Sequence, residues 1–570
     1  MAPTVAPPAT TAALAPLWSA VARTGTCTAH TDTFARDRLP TPDALPEFLF
    51  ELPALQFPDR LNCAFELLGR RIGQGWGQRR SLIGDDGTVW TYADLHDQAQ
   101  RLARVLVLDM GLQPGNRVLL CGANCPMLVA GWFAVVLAGG IAVGTMPMLR
   151  GRELGQIIDK AQISHALCDA ALADALIQAQ AASPVLREIR YFGSPAAEGL
   201  DALAAAQPAQ FTPVDTAADD VCLLAFTSGT TGQPKATVHF HRDVLAACAC
   251  FPPHVLRAEA SDVFIGSPPL AFTFGLGGLV LFPMSVGAAT VLLEKTAPPD
   301  LLAGIARFGA TVLFTAPTSY RAMADAARVG GSSAGLTVAQ GGTLRKCVSA
   351  GEALPAATRA LWRSATGIEL IDGIGATEML HIFIAADEHD ARPGATGRVV
   401  PGYRACVVDD QLQPLPPGQV GRLAVKGPTG CRYLDDARQA VYVQGGWNLT
   451  GDAYLQDADG YFYFQSRTDD MIVSAGYNIA GPEVEDALLR HPAVAECAVI
   501  GVPDAQRGQI VKAFVVLRAD AAADAACVQA LQDFVKAGIA PYKYPREIAF
   551  VAALPRTATG KLQRFRLREG

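Results

Sequence analysis

Charge is scarce in this chain. Only 18% of its 570 residues are charged, and the 54 acidic groups outnumber the 47 basic ones, for a net charge of −7. No basic tract offsets that balance, which argues against a nucleic acid as the main partner. The 13 cysteines form no framework: their number is odd and they are scattered, Cys248 and Cys250 lie one residue apart, and Cys121 and Cys125 are separated by three. None of these spacings is that of a zinc site, so the thiols read as reduced, small hydrophobes of a cytoplasmic protein. Residues Met1–Leu17 contain no basic side chain and are interrupted by Pro3, Pro7, Pro8 and Pro16. A secretory leader needs positive charge and an unbroken apolar stretch, so a disordered or poorly ordered tail, taken as residues 1–40, is the expected reading. Nor is there an unbroken apolar span. Cys121–Leu149 and Val263–Leu293 are uncharged and exceed the roughly 18 residues a membrane helix needs. Gly139-Gly140 and Pro147 cut the first, and Pro268-Pro269, Gly275, Gly277-Gly278, Pro283 and Gly287 cut the second. The pieces have the composition of buried parallel strands and their covering helices rather than of a membrane segment.

Half of the residues are apolar, enough for a large core plus a second unit. Val118–Leu120, Ile141–Thr145, Val221–Phe226, Val263–Ile265, Thr311–Phe314, Lys346–Ser349 and Ile368–Ile371 are short apolar runs with helical patterns between several of them. The alternation predicts an α/β fold with parallel-rich sheets. Pro208–Asp220 and Ser333–Thr343 read as surface connections. From Gly394 the texture shifts to short strands such as Arg404–Val408 and Gly421–Val425 punctuated by Pro and Gly, a β-rich subdomain. A compact α+β tail follows, with strands near Ala498–Gly501 and Ala513–Leu517 and a helix near Glu483–Leu489. The expected division is a main domain over 41–468 and a small mobile domain over 469–570.

The most informative stretch is Thr227-Ser-Gly-Thr-Thr-Gly-Gln-Pro-Lys235, entered from the apolar run Val221–Phe226. A buried strand opening into a turn rich in glycine and hydroxyls suits a phosphate. Gly229 and Gly232 allow close backbone approach, Thr227, Ser228, Thr230 and Thr231 add hydroxyl donors, and Lys235 adds a charge. It is not the common nucleoside-triphosphatase loop, which needs Gly-Lys-Ser/Thr opening a helix, because Pro234 disfavours helix at Gln233.

These nine residues resemble the phosphate loop of the adenylate-forming superfamily, which contains acyl- and aryl-CoA ligases, carrier-loading adenylation domains and beetle luciferases. Further segments match it in order. Ser349-Ala-Gly-Glu-Ala353 resembles the loop that flanks adenine, implying contacts from Gly351, Glu352 and Ala353. Asp372-Gly-Ile-Gly-Ala-Thr-Glu378 resembles the adenine and metal segment, implying Asp372, Gly373, Ile374, Gly375, Ala376 and Thr377 beside the nucleotide and Glu378 on Mg²⁺. Ile374 stands where the family usually has an aromatic residue. Thr450-Gly-Asp452 resembles the ribose-binding element. In Ser466-Arg-Thr-Asp-Asp470, Arg467 is expected to reach ribose or phosphate and Asp469 occupies the hinge position. Pro555-Arg-Thr-Ala-Thr-Gly-Lys561 resembles the catalytic-lysine loop. The resemblance thus implies Lys561, Glu378 and Thr230 as the catalytic groups and ATP, Mg²⁺ and coenzyme A as the required small molecules. Arg564, Arg566 and Arg568 read as a solvated terminal face, with a phosphate-bearing ligand as the alternative.

Ala271-Phe-Thr-Phe-Gly-Leu-Gly277 and Met379-Leu-His-Ile-Phe383 resemble the pocket segments of benzoate- and 2-aminobenzoate-CoA ligases. Phe272, Thr273, Phe274, Gly275 and His381 are therefore the expected acid pocket, while His239 and His241 read as structural. The implied activity is an AMP-forming acid–thiol ligase for an aromatic acid. Rotation about Asp469 would replace Lys561 with a coenzyme A loop of Ser474, Ala475, Gly476 and Tyr477. Two alternatives remain open: a stand-alone enzyme loading an aryl acid onto a carrier protein, and a catalytically silent nucleotide-binding protein. The end of the chain soon after Gly560, with no fused carrier domain, favours free coenzyme A. Neither nucleic acid nor membrane is an expected partner, and monomer and homodimer both remain open.

Overall fold

A computed structural model describes residues 28–228, 234–329, 342–468, 470–474, 477–504, 507–519, 521–556 and 562–568; the side chains of Ser228, Ala327, Arg328, Val329, Tyr477 and Asn478 lie outside the description. Among the described residues the strands form sheets of nine, six, five and five.

The six-stranded sheet runs Glu188–Phe192, His165–Asp169, Arg117–Cys121, Ile141–Thr145, Val221–Ser228 and Pro234–Phe240 in spatial order. Its neighbours are parallel except the last pair, an antiparallel hairpin with Thr227 opposite Lys235 and Ser228 opposite Pro234. In the nine-stranded sheet, the inner strands Leu370–Gly375, Lys346–Ser349, Val312–Thr315, Val263–Gly266, Ala289–Leu292 and Arg80–Gly84 are parallel. Antiparallel strands close both of its edges. This is the parallel-rich α/β architecture that the alternating pattern implies.

The two long apolar stretches divide at their Pro and Gly residues. In the first, Pro126 opens the helix Pro126–Leu137, and ten of its twelve residues are buried. A helix apolar on all faces belongs inside a large core. In the second, strand Val263–Gly266 is followed by helical turns from Thr273 to Val286 and by strand Ala289–Leu292. No helix among the described residues is long and apolar enough to cross a membrane.

A β-rich unit contains Arg404–Val408, Val420–Lys426, Val443–Gln444, Trp447–Gln456 and Phe462–Arg467. The last sheet belongs to the tail and pairs Val494–Asp504 with Gly508–Leu517; Glu547–Phe550 lies parallel to the latter. Its core packs beneath helices Gly481–Leu489 and Ala525–Gly538.

Three expectations need correction. Residues 28–40 are built into the body rather than into a disordered tail: the Ala29 N–H donates to Asp220 at 2.9 Å, Thr28 also bonds Asp220, and Arg117 pairs with Asp32. The connection Pro208–Asp220 is a surface segment only in part, because Thr216 and Asp220 are fully buried. Arg564 and Arg568 are not a purely solvated face, since they pair with Glu485 and Asp470. Residues 333–341 of the other expected connection fall outside the described residues.

Candidate active site

Parallel strands aim their carboxyl ends at a common crevice, where α/β sheets place ligands. Here Thr145, Thr227, Ser267, Ala316, Ala350 and Gly375 stand at or just past six such strand ends, and all line one cavity of about 610 Å³. That volume falls within the roughly 300–1,000 Å³ of small-molecule sites.

Next to the wall residues Pro234 and Thr377, three polar side chains that are not themselves part of the wall interlock. Lys235 Nζ lies 3.2 Å from Glu378 Oε1 and donates to Tyr433 Oη at 2.7 Å, and the Tyr433 hydroxyl donates to the same Glu378 oxygen. Burial, reinforced by the Glu378 charge, pushes the Tyr433 phenol well above its ordinary pKa, so it stays a proton donor. Oε2 of Glu378 accepts no hydrogen bond among the described residues. A carboxylate oxygen held this way suits a hard divalent cation such as Mg²⁺, with phosphate oxygens completing the ligand set.

Local backbone chemistry explains why these groups meet. Residues 432–434 run alongside Pro234–Phe240, with Val238 N–H donating to the Arg432 carbonyl at 2.8 Å and Leu434 N–H to the Ala236 carbonyl at 2.9 Å. This seats Tyr433 beside Lys235. Glu378 sits in the short 3-10 turn Thr377–Met379, which is pinned at both ends. His239 Nε2 donates to the Thr377 carbonyl at 2.8 Å, and Thr429 Oγ1 donates to the Met379 carbonyl at 2.7 Å. Behind His239, burial disfavours the Asp243 carboxylate, but Arg432 at 2.6 Å and His239 outweigh it and bring its pKa to about 2. Leu380 then turns the chain at φ 67°. A branched side chain at positive φ costs about 1–3 kcal/mol, and such strain gathers at functional sites.

The cavity also has an apolar end. Phe272, Thr273, Phe274, His381 and Ile382 line it. His381 is buried among Phe251, Phe274, Phe282 and Phe314, with ring centroids 4.4–6.4 Å away. Burial drives its pKa down to about 3, with the Phe274 backbone pulling the other way. It is therefore neutral at physiological pH; the Phe274 backbone lies within reach of the ring, but neither ring nitrogen makes a well-formed hydrogen bond among the described residues. Two glycines permit this packing: a Cβ on Gly275 would lie 2.1 Å from the Pro269 carbonyl oxygen, and one on Gly277 would lie 2.3 Å from His381 Cδ2.

Of the residues expected from the sequence, Thr227, Gly351, Glu352, Phe272, Thr273, Phe274, Gly375, Ala376, Thr377 and His381 line the cavity. Lys235 and Glu378 meet as described. Gly275 acts in close packing instead of forming cavity wall. Ala353, Asp372, Gly373 and Ile374 belong to the neighbouring strand ends but are not part of the wall, and Ile374 packs on the core. Burial raises the Asp372 carboxyl to about 7 despite Arg359. Asp452 and Arg467 face each other across adjacent strands at 3.1 Å, away from the wall. Ser474 is buried in the hairpin that ends near it. Gly229, Thr230, Thr231, Gly232, Asp469, Ala475, Gly476 and Lys561 lie outside the described residues. On either side of Lys561, Arg556 and Gln563 line the cavity, and Arg556 donates to Glu352 at 3.1 Å.

Sequence reasoning missed Tyr433, whose partners lie far away in the chain, and the wall residues Glu153, Gln156, Arg556 and Gln563. It also missed a buried cluster in which Cys63, Cys222 and His241 bring ligand atoms within 4.8 Å. His241 Nδ1 accepts the Cys63 N–H there at 3.1 Å, a structural contact.

Comparison with known proteins gives a consistent result. Residues 70–432 match the family described as AMP-binding enzyme, and residues 483–561 match the AMP-binding enzyme C-terminal domain. The chain is 34% identical over 532 residues to benzoate–CoA ligase of Thauera aromatica, covering 90% of this chain and 97% of the relative. The solved anthranilate CoA ligase AuaEII in complex with anthranoyl-AMP superimposes with a TM-score of 0.84 at 34% identity, over 91% of this chain and 98% of that one. A benzoate CoA ligase from Burkholderia xenovorans LB400 gives a TM-score of 0.81 at 31% identity, over 89% of this chain and 100% of that one.

Proposed function

The chain belongs to the AMP-binding enzyme family, and on that premise we propose that it is an ATP-dependent aryl-CoA ligase. The carboxylate of an aromatic acid of the benzoate or 2-aminobenzoate type attacks the α-phosphorus of ATP. The bond to the bridging oxygen breaks, pyrophosphate leaves and an acyl-adenylate forms. The thiolate of coenzyme A then attacks the acyl carbon and AMP departs.

The observation that carries this reading is the continuity of the crevice. One cavity joins an uncharged aromatic end, with Phe272, Phe274 and His381, to an end bearing Thr227, Glu352, Thr377 and Arg556. A flat acid buries its ring at the first end and turns its carboxylate toward the second. Phe274 supplies a ring face, while Thr273 and the unpartnered His381 nitrogens offer hydrogen bonds to a ring substituent.

The remaining roles follow from the chemistry of each group. The 227–235 loop and Lys235 grip the triphosphate, with Thr230 at the α-phosphate. Glu378 would hold Mg²⁺, which would neutralise phosphate charge. Gly375 and Ala376 face adenine from one side, and Gly351 and Glu352 from the other. Asp452 accepts the ribose hydroxyls beside Arg467. Lys561 stabilises the charge that builds on the five-coordinate phosphorus. Asp469 is the hinge, and Ser474, Ala475, Gly476 and Tyr477 line the thiol's approach. A reducing cytoplasm suits the chain, since the cysteines of the described residues are free thiols.

A pyrophosphate-release screen tests the assignment. Benzoate and 2-aminobenzoate are expected to support turnover far better than acetate or a long-chain fatty acid, with coenzyme A preferred over a carrier-protein thiol. Preference for a long aliphatic acid would defeat the aryl assignment.

A further inference from the structure

The main domain and the tail meet through the ends of their helices. Helix Ala356–Thr366 starts after Pro355, which provides no side-chain cap. The Ala357 N–H has no partner inside its own helix. It donates to Asp486 Oδ1, on the tail helix Gly481–Leu489, at 3.0 Å.

The tail helix is capped in return. Its last carbonyl, that of Leu489, accepts Arg321 Nη2 at 3.3 Å, and the same guanidinium donates to the Val494 carbonyl at 3.4 Å and the Ala495 carbonyl at 3.2 Å. Arg321 belongs to the main-domain helix Pro317–Val329. One turn further along that helix, Asp325 pairs with Arg518 of the tail at 3.3 Å. Each cap sets a charge against the opposite end of a helix dipole: a carboxylate at an N-terminus and a guanidinium at a C-terminus.

The contact leads directly toward the lysine loop. Arg321 holds Val494 and Ala495. The next residue, Glu496, pairs with Arg556 at 2.7 Å, and Arg556 also meets Glu352 at 3.1 Å on the cavity wall. Residue 556 immediately precedes the segment that ends in Lys561. Neither Arg321 nor Asp486 lines the cavity.

We infer that Asp486 and Arg321 are positioning residues. Their exchange of helix caps seats the tail domain in the pose that delivers Lys561 for adenylation, and must be released for thioester formation. The inference rests on the two-step reading above.

The test compares Asp486→Ala, Asp486→Asn and Arg321→Ala in the full-length enzyme. Pyrophosphate release with aryl acid reads the first step, and thioester formation from supplied aryl-adenylate reads the second. Losing one helix cap is expected to lower the ratio of first to second rate about fivefold in Asp486→Ala. Arg321→Ala, which frees three carbonyls, is expected to lower it further. Asp486→Asn is expected to restore the ratio, because asparagine caps about as well as aspartate. Amide exchange of the free enzyme reads the latch without substrate: Ala357 is expected to exchange faster in Asp486→Ala and at the wild-type rate in Asp486→Asn. Equal slowing of both steps, an unmoved ratio or unchanged exchange at Ala357 would overturn the latch. A wild-type enzyme that forms no adenylate would instead overturn the two-step reading, leaving amide exchange to judge the latch.

Discussion

At the lysine end of the cavity, Lys235, Glu378 and Tyr433 satisfy one another, whereas at the phenylalanine end His381 keeps both ring nitrogens unpartnered among four phenylalanine rings. In the first arrangement, two pinned carbonyls and a strained Leu380 fix Glu378 in place. Electrostatic stabilisation works best from such fixed groups, since no reorganisation is needed as charge develops. The second arrangement leaves buried polar atoms unsatisfied, at a cost of about 1–3 kcal/mol. A ring substituent that hydrogen-bonds there recovers part of that cost. Under the proposed function, the lysine end would serve the reaction and the phenylalanine end the choice of acid.

Substitutions can break this division. The largest effect is expected from Lys561→Ala, which removes the fixed charge at phosphorus. Pyrophosphate release is expected to fall about 10²–10³-fold, while thioester formation from supplied aryl-adenylate stays largely intact. Equal loss of both steps would contradict the role. Next comes the polar cluster. Glu378→Gln keeps the shape but removes the anionic oxygen, and Tyr433→Phe removes the hydroxyl that orients it. A Mg²⁺ titration of activity is expected to shift upward about 10–100-fold in the tyrosine variant and further in the glutamine variant. An unchanged Mg²⁺ requirement in both would detach the cluster from the metal.

At the other end a smaller and more selective change is expected. His381→Ala is expected to alter the preference between benzoate and 2-aminobenzoate about tenfold, leaving the Mg²⁺ requirement unchanged. Because its pKa is near 3, His381 contributes no titration to the rate profile between pH 5 and 8. A limb in that range that disappears with His381→Ala would show the ring to be protonated.

The smallest effect concerns stability. Asp372 has its pKa raised from 3.8 to about 7 by burial. Below the unfolded value both states hold the proton. Between about 4 and 7 the unfolded chain releases it and the folded chain keeps it, so stability falls as pH rises through that window. Asp372→Asn is expected to flatten this part of a Tm-against-pH curve and raise Tm at pH 8. An unchanged slope would show that Asp372 is solvated in the fold.

Much of the lysine end was legible in the sequence. Short strands leading into glycine- and hydroxyl-rich turns are local signals, so the 227–235 loop and the Asp372–Glu378 segment could be recognised in the chain. Runs such as Lys346–Ser349 and Arg404–Val408 coincide with strand bounds for the same reason. Tyr433 was not legible, because its function depends on a backbone pairing with residues about two hundred positions earlier. The anchoring of residues 28–40 was missed likewise: Asp220 and Arg117 hold that segment from a distance, against its own composition. Helix caps shared between domains leave no periodicity at all, which is why the sequence pattern does not single out Asp486 or Arg321.

The most direct measurement is mass spectrometry of the enzyme incubated with ATP, Mg²⁺ and benzoate or 2-aminobenzoate, without coenzyme A. The account expects an enzyme-bound aryl-AMP that converts to the thioester and free AMP when coenzyme A is added. Absence of that adenylate with aromatic acids, alongside its formation from a long aliphatic acid, would contradict it.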